Sequence, residues 1–74
     1  MDEEYERLKL RFRKRFLKAT SGIVNMSEWC RTHGYEPKRI YMYCSGASLP
    51  RLDMFDRLCR DLGVSADWLL GKVD

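Results

Sequence analysis

The chain has 74 residues, of which 45% are hydrophobic, and a formal net charge of +3. This is enough for one small domain, residues 1–74, and too apolar for a disordered tail. No apolar run approaches the ~20 residues of a membrane span, and the acidic start Met1–Glu4 lacks a signal-peptide core, so we expect a soluble cytoplasmic protein without membrane association.

The first predicted helix runs from Tyr5 to about Ala19. Apolar residues recur there with a 3.6-residue period, at Tyr5, Leu8, Phe12, Phe16 and Ala19. The other faces are rich in Lys and Arg, and Thr20-Ser21-Gly22 ends the helix.

The second and third predicted helices occupy residues 26–33 and about 37–45. Asn25 and Glu28 have the spacing of a capping box at the start of the second helix. Gly34 is placed to end it, and a proline stands at the favoured first position of the third helix.

A fourth helix is predicted after Pro50 and ends at Gly63. One apolar face is expected for it, from Leu52, Phe55, Leu58, Cys59 and Leu62. Ser65 is expected to cap a short fifth helix. No strand pattern occurs, so the sequence predicts an all-α domain of five helices.

The three cysteines are odd in number and form no CxxC pair, which favours reduced thiols inside a core. The alternative is a zinc site of the Cys3His type. Its ligands would be Cys30, His33, Cys44 and Cys59. These spacings fit no common zinc motif, so we expect neither a metal nor another cofactor.

The charge is distributed unevenly along the chain. Residues 1–6 carry −4, and residues 52–74 carry −2. Residues 7–51 hold eleven Lys or Arg against two Glu, a net +9. A basic middle of this size favours a surface that faces phosphate groups, and an ordinary solvated helix face is the plainer alternative.

Only three residues, 34–36, separate the second and third predicted helices, which is typical of a helix-turn-helix. Residues 34–70 resemble the Cro/repressor (XRE) family of phage and bacterial regulators. The resemblance rests on Cys30, Gly34, Ile40, Gly46, Pro50 and the ending LGVSADWLL at 62–70. It implies a five-helix, lambda-repressor-like bundle and a transcriptional regulator that binds double-stranded DNA.

The resemblance also implies which residues contact DNA. The start of the second helix, Asn25 and Met26, would hold phosphate, as would Arg39 and Arg51. The base-facing positions of the third helix would be Pro37, Lys38, Tyr41 and Met42. Two departures from the family's pattern weaken base contact, because Met26 stands where a Gln is usual and a proline side chain donates no hydrogen bond.

The family implies a homodimer through the C-terminal helix, for which Val64, Leu70 and Val73 are candidates. The alternative function is a protein-binding module on the same scaffold, such as a phage inhibitor or antirepressor. The aromatic run 41–43 would suit a hydrophobic protein partner. An enzyme is not expected, because the chain has one His, no glycine-rich phosphate loop and no paired carboxylates.

Overall fold

The computed structural model describes residues 3–74, so Met1 and Asp2 of the acidic start lie outside the described part. Within that part there are five helices and no strand. They are α1 (Glu3–Ala19), α2 (Met26–His33), α3 (Pro37–Ser45), α4 (Leu52–Leu62) and α5 (Ala66–Leu69). The predicted all-α architecture of five helices is confirmed. No helix among these residues is long and apolar enough to cross a membrane.

The core is built on two phenylalanines of α1. Phe12 and Phe16 are fully buried, and their rings stack with centroids 5.3 Å apart. The ring of Tyr43 on α3 meets both of them edge-on, at 6.4 and 6.1 Å. Leu58 of α4 and Leu69 of α5 are also fully buried in this cluster, so α1 holds the later helices together through one apolar stripe.

The ends of the helices follow the predicted capping residues. Asn25 Oδ1 accepts a hydrogen bond from the Glu28 N–H at 3.0 Å, and Ser65 Oγ accepts one from the Trp68 N–H at 3.1 Å. Gly34 ends α2 in the left-handed conformation, with φ of 79°. The reciprocal half of the capping box does not form, because the Glu28 side chain makes no hydrogen bond within residues 3–74.

Two residues predicted to lie on apolar core faces are instead exposed. Tyr5 is 45% exposed, and its ring lies 4.9 Å from the Lys9 ammonium rather than against the core. Leu52 is 83% exposed, because the first turn of α4 extends past the rim of the core. The rest of the predicted α4 face is buried or half-buried, at Phe55, Leu58, Cys59 and Leu62.

The cysteines are free thiols within or beside the core. Cys30 and Cys59 are buried and Cys44 is half-buried, and burial raises the pKa of each thiol. The His33 ring lies over Trp29 at 4.5 Å, and its Nδ1 is 2.9 Å from the Trp29 carbonyl oxygen. No group of three or more metal-ligating side chains occurs in the described part, so the alternative zinc site gains no support from the coordinates.

Candidate nucleic-acid interface

The connection between α2 and α3 consists of residues 34–36 and is fastened to α4. The Tyr35 hydroxyl donates a hydrogen bond to Asp61 Oδ2 at 2.5 Å. The Arg57 guanidinium lies 4.6 Å from the Tyr35 ring centroid and donates to the His33 carbonyl oxygen. Burial, together with the hydrogen bond to Asp61, raises the pKa of Tyr35. These contacts fix where α3 starts relative to the rest of the molecule.

The exposed side of α3 carries most of the residues that the sequence placed against DNA. Ile40 and Tyr43 are buried and anchor the helix to the core. Lys38 and Arg39 are exposed, while Tyr41 is 55% and Met42 is 40% exposed. Pro37, at the first position of the helix, is half-buried. Four of the predicted residues are therefore accessible from solvent, and Pro37 is accessible in part.

A cleft of about 470 Å³ lies between α3 and the start of α4, and we call it the α3–α4 cleft. Its lining includes Arg39, Met42 and Arg51, which come from α3 and from the residue before α4. Ser48 and Asp53 line it as well, and neither was predicted from the sequence. The fold thus brings three of the predicted contact residues to one concave surface.

The cations of this surface are not equally available to a phosphate. Lys38 and Arg39 have no acidic partner among residues 3–74. Arg51 donates to Asp53 at 3.0 Å, in a pair that is mostly exposed. A hydrogen bond from the Met54 N–H, with the Arg51 contact second, lowers the pKa of Asp53. Asp53 is therefore ionised at neutral pH and competes with phosphate for Arg51.

The start of α2 forms a separate polar position. Asn25 is exposed and lines a depression with Glu28 and Trp29 rather than the α3–α4 cleft. The Met26 side chain is half-buried and packs against the core, so only its backbone N–H is suited to an anion. The N–H groups of Met26 and Ser27 have no acceptor within the described part of the chain. Free N–H groups at a helix N-terminus favour anions.

Sequence reasoning missed the contacts that hold this surface in place. Arg57 and Asp61 lie 24 and 26 residues after their partners in the α2–α3 connection. Arg13 of α1 donates through Nε to the Cys44 carbonyl oxygen at 3.1 Å, near the end of α3. No local spacing announces such pairs. The position of Asp53, two residues after Arg51, was the one signal available in the sequence.

Comparison of the chain with protein-family models, with curated proteins and with solved structures gives no match. Arguments about function therefore rest on the residues and their geometry.

Proposed function

We propose that this chain is a DNA-binding transcriptional regulator of the phage or bacterial Cro/repressor (XRE) type, acting in the cytoplasm. In this proposal α2 and α3 form a helix-turn-helix of a lambda-repressor-like bundle, and α3 enters the major groove, which admits one helix. The observation that carries the proposal is the exposed side of α3. It presents Lys38 and Arg39 without acidic partners beside Arg51, while Ile40 and Tyr43 anchor the helix.

The contacts divide into those that touch bases and those that hold the backbone. Lys38 would donate to guanine, and Met42 would pack against a thymine methyl group. Arg39 and Arg51 would contact phosphates on the side of the α3–α4 cleft. The free N–H of Met26, with Asn25 beside it, would hold a phosphate at the start of α2.

Binding to random duplex DNA, measured by mobility shift at low and high salt, tests this proposal. Affinity should fall with a slope of about −0.9 per phosphate contact on a log–log plot against salt. The variant Lys38→Ala/Arg39→Ala should bind more weakly, with a slope shallower by up to about 1.8 for two lost contacts.

The matched control is Lys14→Ala/Lys18→Ala, which removes the same charge from exposed positions of α1. An equal loss in both double variants would mean that DNA responds to net charge and not to the exposed side of α3. That result would remove the support for α3 as the recognition helix.

A protein-binding module is the second candidate, because Tyr41 and Met42 are large apolar side chains exposed on α3. Tyr and Met are enriched at protein interfaces. In this case the chain would capture a protein tightly and without salt sensitivity, and would give no DNA shift. Tyr41→Ser/Met42→Ser would abolish that capture, whereas Lys38→Ala/Arg39→Ala would leave it nearly unchanged.

On DNA we propose a homodimer that uses the C-terminal helix and its flanks, with half-sites ~34 Å apart on a two-fold operator. Val73 is 49% exposed, and Leu70 and Val64 are half-buried, so each retains apolar surface for a second copy. The proposal involves no cofactor and no catalytic step.

A further inference from the structure

A second concentration of positive charge lies between α1 and the segment that begins with α5. It is a groove of about 450 Å³, which we call the α1–α5 groove. Its cationic lining comes entirely from α1, at positions spaced by three or four residues: Arg11, Lys14, Arg15 and Lys18. Trp68, Gly71 and Asp74 complete the lining. Four cations therefore face the carboxylate of Asp74 across the groove.

The two arginines are held in place by backbone acceptors that do not neutralise them. Arg11 Nε donates to the Leu70 carbonyl oxygen at 3.2 Å, and an Arg15 terminal nitrogen donates to the Trp68 carbonyl oxygen at 3.0 Å. The Arg15 guanidinium also lies 4.8 Å from the Trp68 ring centroid. Both keep a full charge and further N–H donors, in positions set before any ligand arrives.

The two lysines have no acidic partner among residues 3–74. The first half of the same helix differs, because Arg7 pairs with Glu3 and Lys9 pairs with Glu6, each at 3.4 Å. In α1 the acidic residues thus stand only where they neutralise the cations of the first half. The second half is left with a row of positive charge along the groove.

The shape of the groove depends on the close approach of the chain after α5 to α1. Gly71 has φ of 78°, and a Cβ atom built there would lie 3.1 Å from two side-chain carbons of Arg11. A residue with a side chain would therefore be strained and crowded against α1. The volume falls in the range of about 300–1,000 Å³ that is usual for small-molecule sites. A concave site of this size suits a compact anion better than an extended strand.

We propose that the α1–α5 groove binds a compact ligand with two or three consecutive phosphate groups, such as an inorganic oligophosphate or a nucleoside triphosphate. Arginine forks match phosphate oxygens in geometry, and lysine supplies mobile point charge. In this site Arg11 and Arg15 would orient the phosphates, and Lys14 and Lys18 would close over them from the solvent side.

The groove is separate from the surface proposed to bind DNA. Arg13, between the groove residues in sequence, points to another side of α1 and donates to the Cys44 carbonyl oxygen near the end of α3. No residue lines both the groove and the α3–α4 cleft. The inference therefore stands or falls independently of DNA binding.

Titration calorimetry with sodium tripolyphosphate at low salt tests the proposal. The natural chain should show saturable binding at one site, and NMR signals of residues 11–18 and 68–74 should shift together. Lys14→Ala/Lys18→Ala should weaken binding at least tenfold. These lysines are exposed and have no printed role in the fold, so the variant should keep its helical circular dichroism.

The matched control is Lys38→Ala/Arg39→Ala, which removes the same charge from α3 and should change tripolyphosphate affinity less than twofold. Asp74→Asn, which removes the one carboxylate of the groove, should tighten binding severalfold and serves as a gain-of-binding test. Equal losses in the two double variants, or no saturable binding, would overturn the proposal.

Two further ligands identify the source of the phosphates. Stronger binding of ATP than of tripolyphosphate, with quenching of Trp68 fluorescence, would indicate a nucleotide, and equal binding would indicate the phosphate chain alone. A short DNA duplex is the third arm. If Lys14→Ala/Lys18→Ala weakened duplex binding as much as tripolyphosphate binding, the groove would be a nucleic-acid surface and the compact ligand would be excluded.

Discussion

At the scale of single residues, the candidate interface depends on how strongly each cation is already engaged. Arg39 and Arg51 line the same cleft and are both exposed, but only Arg51 has an acidic partner. An exposed ion pair is worth about 0–1 kcal/mol, and breaking it subtracts from any phosphate contact that Arg51 makes. Asp53 therefore acts against DNA binding, although it lies among the residues proposed to support it.

Replacing this carboxylate should strengthen DNA binding. Asp53→Asn removes a negative charge from the α3–α4 cleft and frees Arg51, so affinity for duplex DNA should rise by up to about fivefold, which corresponds to ~1 kcal/mol. The salt slope should steepen by up to about 0.9, one phosphate contact. Fluorescence anisotropy across a salt series measures both quantities.

The chain contains a close control for this experiment. Asp56 pairs with Arg60 at 3.1 Å on the same helix, and that pair is also mostly exposed, but neither residue lines the cleft. Asp56→Asn makes the same change in net charge and should alter affinity much less. If both substitutions raised affinity equally, long-range charge would explain the gain and Arg51 would have no specific role.

At the scale of secondary-structure elements, local signals predicted the helices well. The predicted range of α2 is confirmed because both of its ends are set by neighbouring residues, Asn25 at the start and Gly34 at the end. The predicted start of α1 was two residues late, because the Glu residues before Tyr5 continue the helix without belonging to its apolar period. Periodicity measures burial, so it loses the turns that extend beyond the core.

The contacts between elements were not predictable in the same way. Arg57 and Tyr35 belong to different helices' surroundings, and their meeting depends on how α4 crosses the α2–α3 connection. Nothing in the spacing of either residue specifies a partner. The face of α3 was nevertheless identified, because the burial of Ile40 and Tyr43 fixes which residues remain outside.

The α2–α3 connection should be sensitive to an added methyl group. Gly34 has φ of 79°, and a Cβ atom there would lie 2.8 Å from a terminal nitrogen of Arg57. That nitrogen donates to the His33 carbonyl oxygen, so moving it breaks a hydrogen bond. Gly34→Ala should therefore lower the free energy of unfolding by about 2–3 kcal/mol, which combines backbone strain with one lost hydrogen bond.

Gly63 provides the matched control for Gly34. It also ends a helix with positive φ, 70°, but a Cβ atom built there meets nothing within 4 Å. Gly63→Ala should cost only the conformational part, about 1–2 kcal/mol. Urea unfolding of both variants measures the difference. If the two costs were equal, Arg57 would move without penalty and the connection would not depend on it.

At the scale of the whole molecule, folding divides the basic middle of the sequence into distinct surfaces. The sequence shows a net +9 over residues 7–51 and suggests a single phosphate-facing surface. In the folded chain the cations of α1 beyond Lys9 turn toward α5, and those of α3 turn to solvent near α4. A count along the chain cannot separate them, because helix packing decides which side of the molecule each charge occupies.

The remaining apolar surface bears on the proposed dimer. A groove of about 270 Å³ has an entirely apolar lining: Leu8, Phe12, Leu49, Pro50, Leu52, Phe55 and Leu70. Leu70, one of the residues proposed for the dimer contact, belongs to this lining, and Leu52 stands almost fully exposed at its edge. A second copy that uses the C-terminal flank would cover both residues.

The dimer is tested by a charge placed at that edge. Leu52→Glu should weaken self-association at least tenfold in sedimentation equilibrium, because a carboxylate would be buried without a partner, and should leave unfolding nearly unchanged because Leu52 lies outside the core. Affinity for a two-fold DNA site should fall, while affinity for a half-site should stay the same. Val24→Glu, at a fully exposed position of the α1–α2 connection, should change none of these. A natural chain that stayed monomeric on two-fold DNA, or a Leu52→Glu variant that associated normally, would rule out a dimer through this surface.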